Sequence, residues 1–140
     1  MIAYMTWNND LSVGVAQFDE EHRQLFVLVN EMHDGVHNVR GSLTNEALGQ
    51  MADKVIAHLL THLDREERCF DELHYPRTGA HKAMHEQLKA RINALRSEVG
   101  HKESRALAAE MLHFLREALL DHVQDEDKNY GPYLNEQGVH

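Results

Sequence analysis

Two stretches decide how this chain is read: His62-Leu63-Asp64-Arg65-Glu66 and, beyond a turn, His81-Lys82-Ala83-Met84-His85. Each sets two metal-capable side chains four residues apart. On an α-helix that spacing is a rotation of about 40° with about 6 Å of rise, so both groups face one way. Neutral imidazole and carboxylate suit first-row metals such as iron. Either block alone is a weak signal, because charged helix faces often carry such pairs by chance. Its weight depends on whether the rest of the chain brings more ligands to the same place.

Outward from these blocks the chain reads as helices. Asp19 is an N-cap for a first helix over 19–38, whose apolar stripe is Leu25, Leu28, Val29, Met32 and Val36, with His22 on the same stripe; Gly41 closes it. Ser42 or Thr44 caps a second helix over 44–73. Its stripe is Leu48, Met51, Val55, His58, His62, Glu66, Cys69 and Leu73, all within about 40° of His62 at 100° per residue. His74-Tyr75-Pro76 ends it, since a residue before proline avoids the α region. Thr78 caps a third helix over 79–99 with the stripe His81, His85, Leu88, Ile92, Leu95 and Val99, stopped by Gly100. A fourth, over 103–129, has the stripe Leu107, Met111, Leu115, Ala118, Leu119 and His122, and Gly131-Pro132 stops it before a short tail. Residues 1–18 lack steady periodicity and read as an irregular arm that packs Trp7 and Tyr4 on the helices. No segment alternates like a strand, so the fold class expected is all-α: an up-down-up-down four-helix bundle in one domain over 1–140.

Composition agrees and excludes. A chain of 140 residues with 42% hydrophobic content suits one compact domain. The longest clean apolar run is Leu25 to Val29, so no membrane span is expected. The start, Met1 to Asp10, shows no basic region followed by an apolar stretch, so no secretory signal is expected either. The one cysteine, Cys69, excludes an internal disulfide and a thiolate metal cluster. A cytoplasmic location fits best. The formal net charge of −9 argues against nucleic acid as the main partner. Twelve histidines in a small acidic chain are the anomaly.

Short turns make neighbouring helices antiparallel, which fixes the height of each candidate. His22 opens the first helix; His62 and Glu66 fall in the last third of the second; His81 and His85 open the third. His122 and the acidic run Asp125, Glu126, Asp127 close the fourth. All therefore fall at one end. A single inward histidine is ordinarily a hydrogen-bonded core residue. Five on four helices at one height would cost a few kcal/mol each if left without partners. Five imidazoles and at least two carboxylates exceed the needs of one ion and match two ions bridged by carboxylates.

With these residues in place the chain resembles the hemerythrin family, in particular its single-domain bacterial members. The family pattern is a first-helix histidine after an acidic residue, then His-x-x-x-Glu, His-x-x-x-His, and a histidine followed five residues later by Asp. Here these are His22 in Phe-Asp-Glu-Glu-His, His62 with Glu66, His81 with His85, and His122 with Asp127; the Tyr75-Pro76 turn also matches. The resemblance implies two non-heme irons (Fe2+/Fe3+) that take up O2 reversibly, in a binding protein and not an enzyme. By position it implies one iron on His81, His85 and His122, and another on His22 and His62 with an open position. Glu66 and Asp127 would bridge, with an oxo or hydroxo group as third bridge. Leu25 and Leu119 are placed to keep the pocket dry, which slows autoxidation.

This chain departs from the family in having Leu63 where Phe is usual after the second-helix ligand, and His58 where an aromatic is common four residues before it. His58 is read as a core histidine one turn above the site. His33 and His37 form another i,i+4 pair, but at the opposite end and at a solvent boundary. His74, His101 and His140 belong to turns or the tail. His113 faces outward, so Glu110-x-x-His113 is not half of a ferritin-type site. Two other functions stay open: a sensor of O2 or redox state acting through a partner protein, and a di-iron enzyme acting on peroxide or nitric oxide.

For the second bridging carboxylate, spacing and resemblance disagree. Glu126 is four residues after His122, about 40° away on a regular helix; Asp127 is five after, about 140° away. A π-type turn at the end of the fourth helix would bring i and i+5 into line and reconcile the two. The expectation is Asp127 as bridge and Glu126 as a solvated neighbour.

Overall fold

The computed structural model describes residues 3–140, except for the side chains of Asp125, Glu126 and Asp127. Four long helices dominate: α1 (Ala16–Asn38), α2 (Asn45–Leu73), α3 (Thr78–Ser97) and α4 (Ser104–Asp121). A π-helical segment His122–Glu126 and a 3-10 turn Asp127–Asn129 continue α4, and a short α5 (Gly131–Glu136) follows. Among the described residues there is no strand, only an isolated bridge between Val99 and Lys102. Each long helix packs on its sequence neighbours and α1 closes against α4, which makes the four-helix bundle. No described helix is long and apolar enough to cross a membrane.

The helix ends show where local chemistry decides. Thr44 caps α2, its Oγ1 accepting from Ala47 N at 3.1 Å, and His74 ends that helix in the left-handed region at φ 54°. Asp19 is not a cap. α1 begins three residues earlier, after an extended Val15 with no capping side chain. The Asp19 carboxylate instead reaches back to the arm, accepting from Ser12 Oγ at 2.6 Å and Val13 N at 2.8 Å. Thr78 is the first residue of α3, not its cap, and its hydroxyl donates to Tyr75 O at 2.6 Å. α4 leaves the α-helical path at Asp121, eight residues short of the expected end. Gly131-Pro132 starts a helix rather than only stopping one. Proline is well placed in a first turn, where its missing N–H has no partner to lose.

The arm is held, not loose. Asn30 pairs with the Met5 backbone at 2.7 and 2.8 Å, the Arg23 guanidinium lies 4.0 Å over the Trp7 ring, and Tyr4 stacks on His33 at 4.4 Å. Arm and α5 meet so closely that a Cβ on Gly131 would lie 2.1 Å from Val13 O, so only glycine fits there. The core runs the length of the bundle through Leu25, Val29, Leu48, Leu59, Leu63, Ile92, Leu107 and Met111, all buried. Burying each such side chain contributes about 1.5–3 kcal/mol. On α2 the buried face is centred on Leu59, Leu63 and Phe70. Met51, His58, Cys69 and Leu73, expected inside, sit half-buried at its edge. The helix packs on both α1 and α3 and needs a wide buried face, so a stripe drawn around His62 marks one margin of it.

Candidate metal centre

The six described candidates converge at the end of the bundle that holds the start of α1. His22 comes from the second turn of α1. His62 and Glu66 come from α2, His81 and His85 from the first two turns of α3, and His122 from the junction where α4 turns π-helical. Every one is buried, with Glu66 and His85 at 0% exposure.

Glu66 is the centre of the arrangement, and its two oxygens face different histidines. Oε2 lies 3.4 Å from His62 Nε2 and 3.8 Å from His22 Nε2. Oε1 lies 3.2 Å from His85 Nε2, 3.7 Å from His81 Nε2 and 3.9 Å from His122 Nε2. Two ligand groups result, each with its donor atoms within 4.8 Å of one another: Glu66, His81, His85 and His122, and His22, His62 and Glu66. Nε2 atoms also approach in pairs, His22 to His62 at 3.0 Å and His85 to His122 at 3.1 Å. Burial pushes the Glu66 carboxyl up, but the imidazoles around it, His62 foremost, hold it well below the usual carboxylate range.

The outward ring nitrogens are fixed by acids. His62 Nδ1 donates to Glu21 Oε1 at 2.6 Å, and Glu21 Oε2 accepts from Arg65 and Gln17, each at 3.1 Å. His85 Nδ1 donates to Glu67 Oε2 at 2.9 Å. A carboxylate can only accept here, so Nδ1 of each ring carries a proton, and it is Nε2 that the neutral ring would offer to a metal. Burial pushes the Glu21 carboxyl up; the hydrogen bonds from His62, Gln17 and Arg65 outweigh it and hold the group below the usual range. The Tyr130 hydroxyl donates to Glu66 Oε2 at 2.7 Å. Phe18 and Phe70 wall the cluster with ring edges, Phe18 against His62 at 6.0 Å and Phe70 against His81 at 4.8 Å.

These residues form two groups, sharing Glu66, that could hold metal. Glu66 Oε1 is buried with no hydrogen-bond donor among the described residues, although three imidazole nitrogens surround it. Such an oxygen is costly unless something positive meets it. The donor set is nitrogen and oxygen only, as first-row metals accept.

At the end of α4 the expected widening is present: His122–Glu126 is π-helical. The Asp127 and Glu126 side chains, the two candidates for a second bridge, lie outside the described residues. His58 is half-buried and not on the cluster; it lines a groove between α1 and α2. His33 and His37 sit at the far end, and His113 is exposed. Sequence reasoning missed Glu21, Glu67 and Tyr130 as supports. The signal for the two acids was available, since each is the direct neighbour of a ligand candidate. Tyr130 carried none, because it lies just past the expected end of the fourth helix at 129.

Residues 13–134 match the Hemerythrin HHE cation binding domain family. The bacteriohemerythrin of Stenotrophomonas maltophilia (strain R551-3) is 27% identical over 129 residues, 92% of this chain and 80% of that protein. The bacteriohemerythrin of Methylococcus capsulatus (strain Bath) is 27% identical over 135 residues, 96% of this chain and 99% of that protein. A solved structure of wild-type hemerythrin superposes with a TM-score of 0.81 at 28% identity, covering 93% of this chain and 97% of that one.

Proposed function

The chain belongs to the hemerythrin family, and on that premise we propose that it binds O2 reversibly, as a carrier or store, at a centre of two non-heme irons. The ligands proposed are His81, His85 and His122 for one iron and His22 and His62 for the other, with Glu66 and Asp127 bridging. The observation that carries this reading is Glu66, whose two carboxylate oxygens face two separate sets of imidazole nitrogens. When bound, the iron pair supplies the reversible O2 chemistry.

The chain's own residues do the rest. Glu21 and Glu67 hold His62 and His85 in the tautomer that presents Nε2 inward, which raises the basicity of each ring and fixes its plane. Tyr130 orients Glu66 by donating to Oε2. Leu25, Leu63 and Leu119, with Phe18 and Phe70, exclude water from the cluster, and a dry pocket slows loss of the reduced state. Among the described residues, Glu21, Glu67 and Tyr130 are acid-base-capable groups that touch ligand side chains. All three are engaged in hydrogen bonds to ligand side chains, which favours binding over catalysis. A cytoplasmic location is part of the proposal, supported by the single cysteine.

The test is the absorption spectrum of the reduced, iron-loaded protein before air, after air, and after air is removed again. The expected result is an oxygenated form that appears and then disappears. Direct passage to the oxidised form, with no oxygenated species, would reject the carrier role.

A further inference from the structure

The two groups that share Glu66 are unequal in donors. Oε1 faces three imidazoles, with His85 Nε2 at 3.2 Å, His81 Nε2 at 3.7 Å and His122 Nε2 at 3.9 Å. Oε2 faces two, with His62 Nε2 at 3.4 Å and His22 Nε2 at 3.8 Å. The oxygens differ as well. Oε1 is buried and meets no hydrogen-bond donor among the described residues, whereas Oε2 already accepts from the Tyr130 hydroxyl at 2.7 Å. Ring orientation is secured alike in both groups, with Glu67 on His85 at 2.9 Å and Glu21 on His62 at 2.6 Å. Donor count and the state of the shared carboxylate are what separate them.

Both differences favour the same group. A third neutral imidazole adds a nitrogen donor of the kind that first-row divalent ions take. A cation beside Oε1 also meets a buried carboxylate oxygen in need of a positive partner, and relieves the cost of burying it. A cation beside Oε2 shares its oxygen with a hydrogen bond that is already made. The later arrival meets a further penalty. Glu66 carries one negative charge, and the first cation offsets it before the second approaches. Asp127, proposed above as a bridge, would add to both groups and leave their order unchanged.

We propose that the centre fills in a fixed order, the His81, His85 and His122 group first and the His22 and His62 group second, by way of a stable one-metal form. This rests on the two-iron reading above. Its consequence is regulatory. In that reading the open position for O2 belongs to the two-histidine group, which is the weaker one. The one-metal form is therefore folded and metal-bound, yet lacks the O2 position. Uptake of O2 by this chain then depends on a supply of Fe2+ above the level that fills the first group.

The experiment starts from the reduced, iron-loaded protein and lowers free Fe2+ stepwise with a ferrous chelator in the absence of air, reading iron per chain. Two steps are expected, separated by a plateau at one iron per chain and by at least about tenfold in free Fe2+. That is the size of effect seen when even an outer support of a metal ligand is lost. At the plateau, proton NMR should show imidazole N–H signals from three rings shifted by the paramagnetic ion, a readout that needs no variant. His22→Gln should lose the weaker step and keep the tighter one. His81→Gln should lower the tighter step by at least about tenfold, with the thermal midpoint checking that each variant folds. Two irons that leave the parent together in one step would overturn the order and leave the two-iron reading intact. So would a plateau form with only two shifted rings. A parent that never holds more than one iron would overturn both.

Discussion

His81/His85 on α3 and His33/His37 on α1 share the same i,i+4 spacing and have opposite fates. The α3 rings are buried edge to face at 4.6 Å, among His122, Glu66 and Phe70. The α1 rings stack nearly parallel at 4.1 Å at the solvent boundary, with Tyr4 beneath. His37 Nδ1 donates to His33 O at 2.8 Å, and His33 Nδ1 meets Asp34 at 3.3 Å. Spacing aligns two rings in both places. What differs is the surroundings: near His81 and His85 the other helices bring a buried carboxylate and more imidazoles, and near His33 and His37 the arm brings one tyrosine and His37 stays exposed. A ligand pair is made by what converges on it.

The sharpest way to break this comparison is to remove one ring from each pair. His81→Ala should cut iron from two per chain to one or fewer by metal analysis. His33→Ala with His37→Ala should leave iron unchanged and shift stability by no more than about 0.5 kcal/mol per site, as for exposed positions. Equal iron loss from both would mean that the far pair is also a ligand site.

Next in size is the pair Asp127→Ala and Glu126→Ala. The π-helical turn after His122 favours a partner five residues on. The Asp127 variant should therefore lose iron and its oxygenated spectrum, and the Glu126 variant should keep both. The reverse outcome would return the bridge to Glu126.

Tyr130→Phe acts on the same end more gently. It removes the donor to Glu66 Oε2 and leaves the ring packing. The expected cost is about 1–3 kcal/mol in urea unfolding, with iron near two per chain and faster autoxidation. Unchanged stability would mean that Glu66 takes no support from the hydroxyl.

The smallest effect belongs to the far end, which rests on ordinary caps. Glu103 caps α4, accepting from Ala106 N at 2.7 Å and Arg105 N at 3.0 Å. Those backbone N–H groups hold its carboxyl below the usual range. A depressed folded-state pKa gives stability that is present above the ordinary glutamate value and lost as pH falls through the folded value. The thermal midpoint of Glu103→Ala should thus trail the parent at neutral pH and converge with it in acid, with no change in iron. A gap that persists in acid would assign the effect to something other than the cap charge.

Much of the molecule was legible in the chain before its structure. Four apolar stripes with turn residues between them placed the helices, and helix height placed the five histidines and Glu66 together. The misses have physical causes. Asp19 has the composition of a cap, but Ser12 and Val13 compete for its carboxylate, and that contact spans the arm. His58 lies on the His62 wheel, yet the buried face of α2 is turned towards Leu59 and Leu63. Glu21, Glu67 and Tyr130 act through atoms on other helices, and periodicity along one helix does not register such contacts. The π-turn was anticipated only because two arguments about Glu126 and Asp127 disagreed.

Glu66 is the proposed carboxylate between two irons. Anomalous diffraction at the iron edge, on crystals of the iron-loaded protein, tests this directly. Two peaks are expected on either side of the Glu66 carboxylate, one among His81, His85 and His122 and one beside His22 and His62. A single peak, or two peaks that share no contact with Glu66, would contradict it.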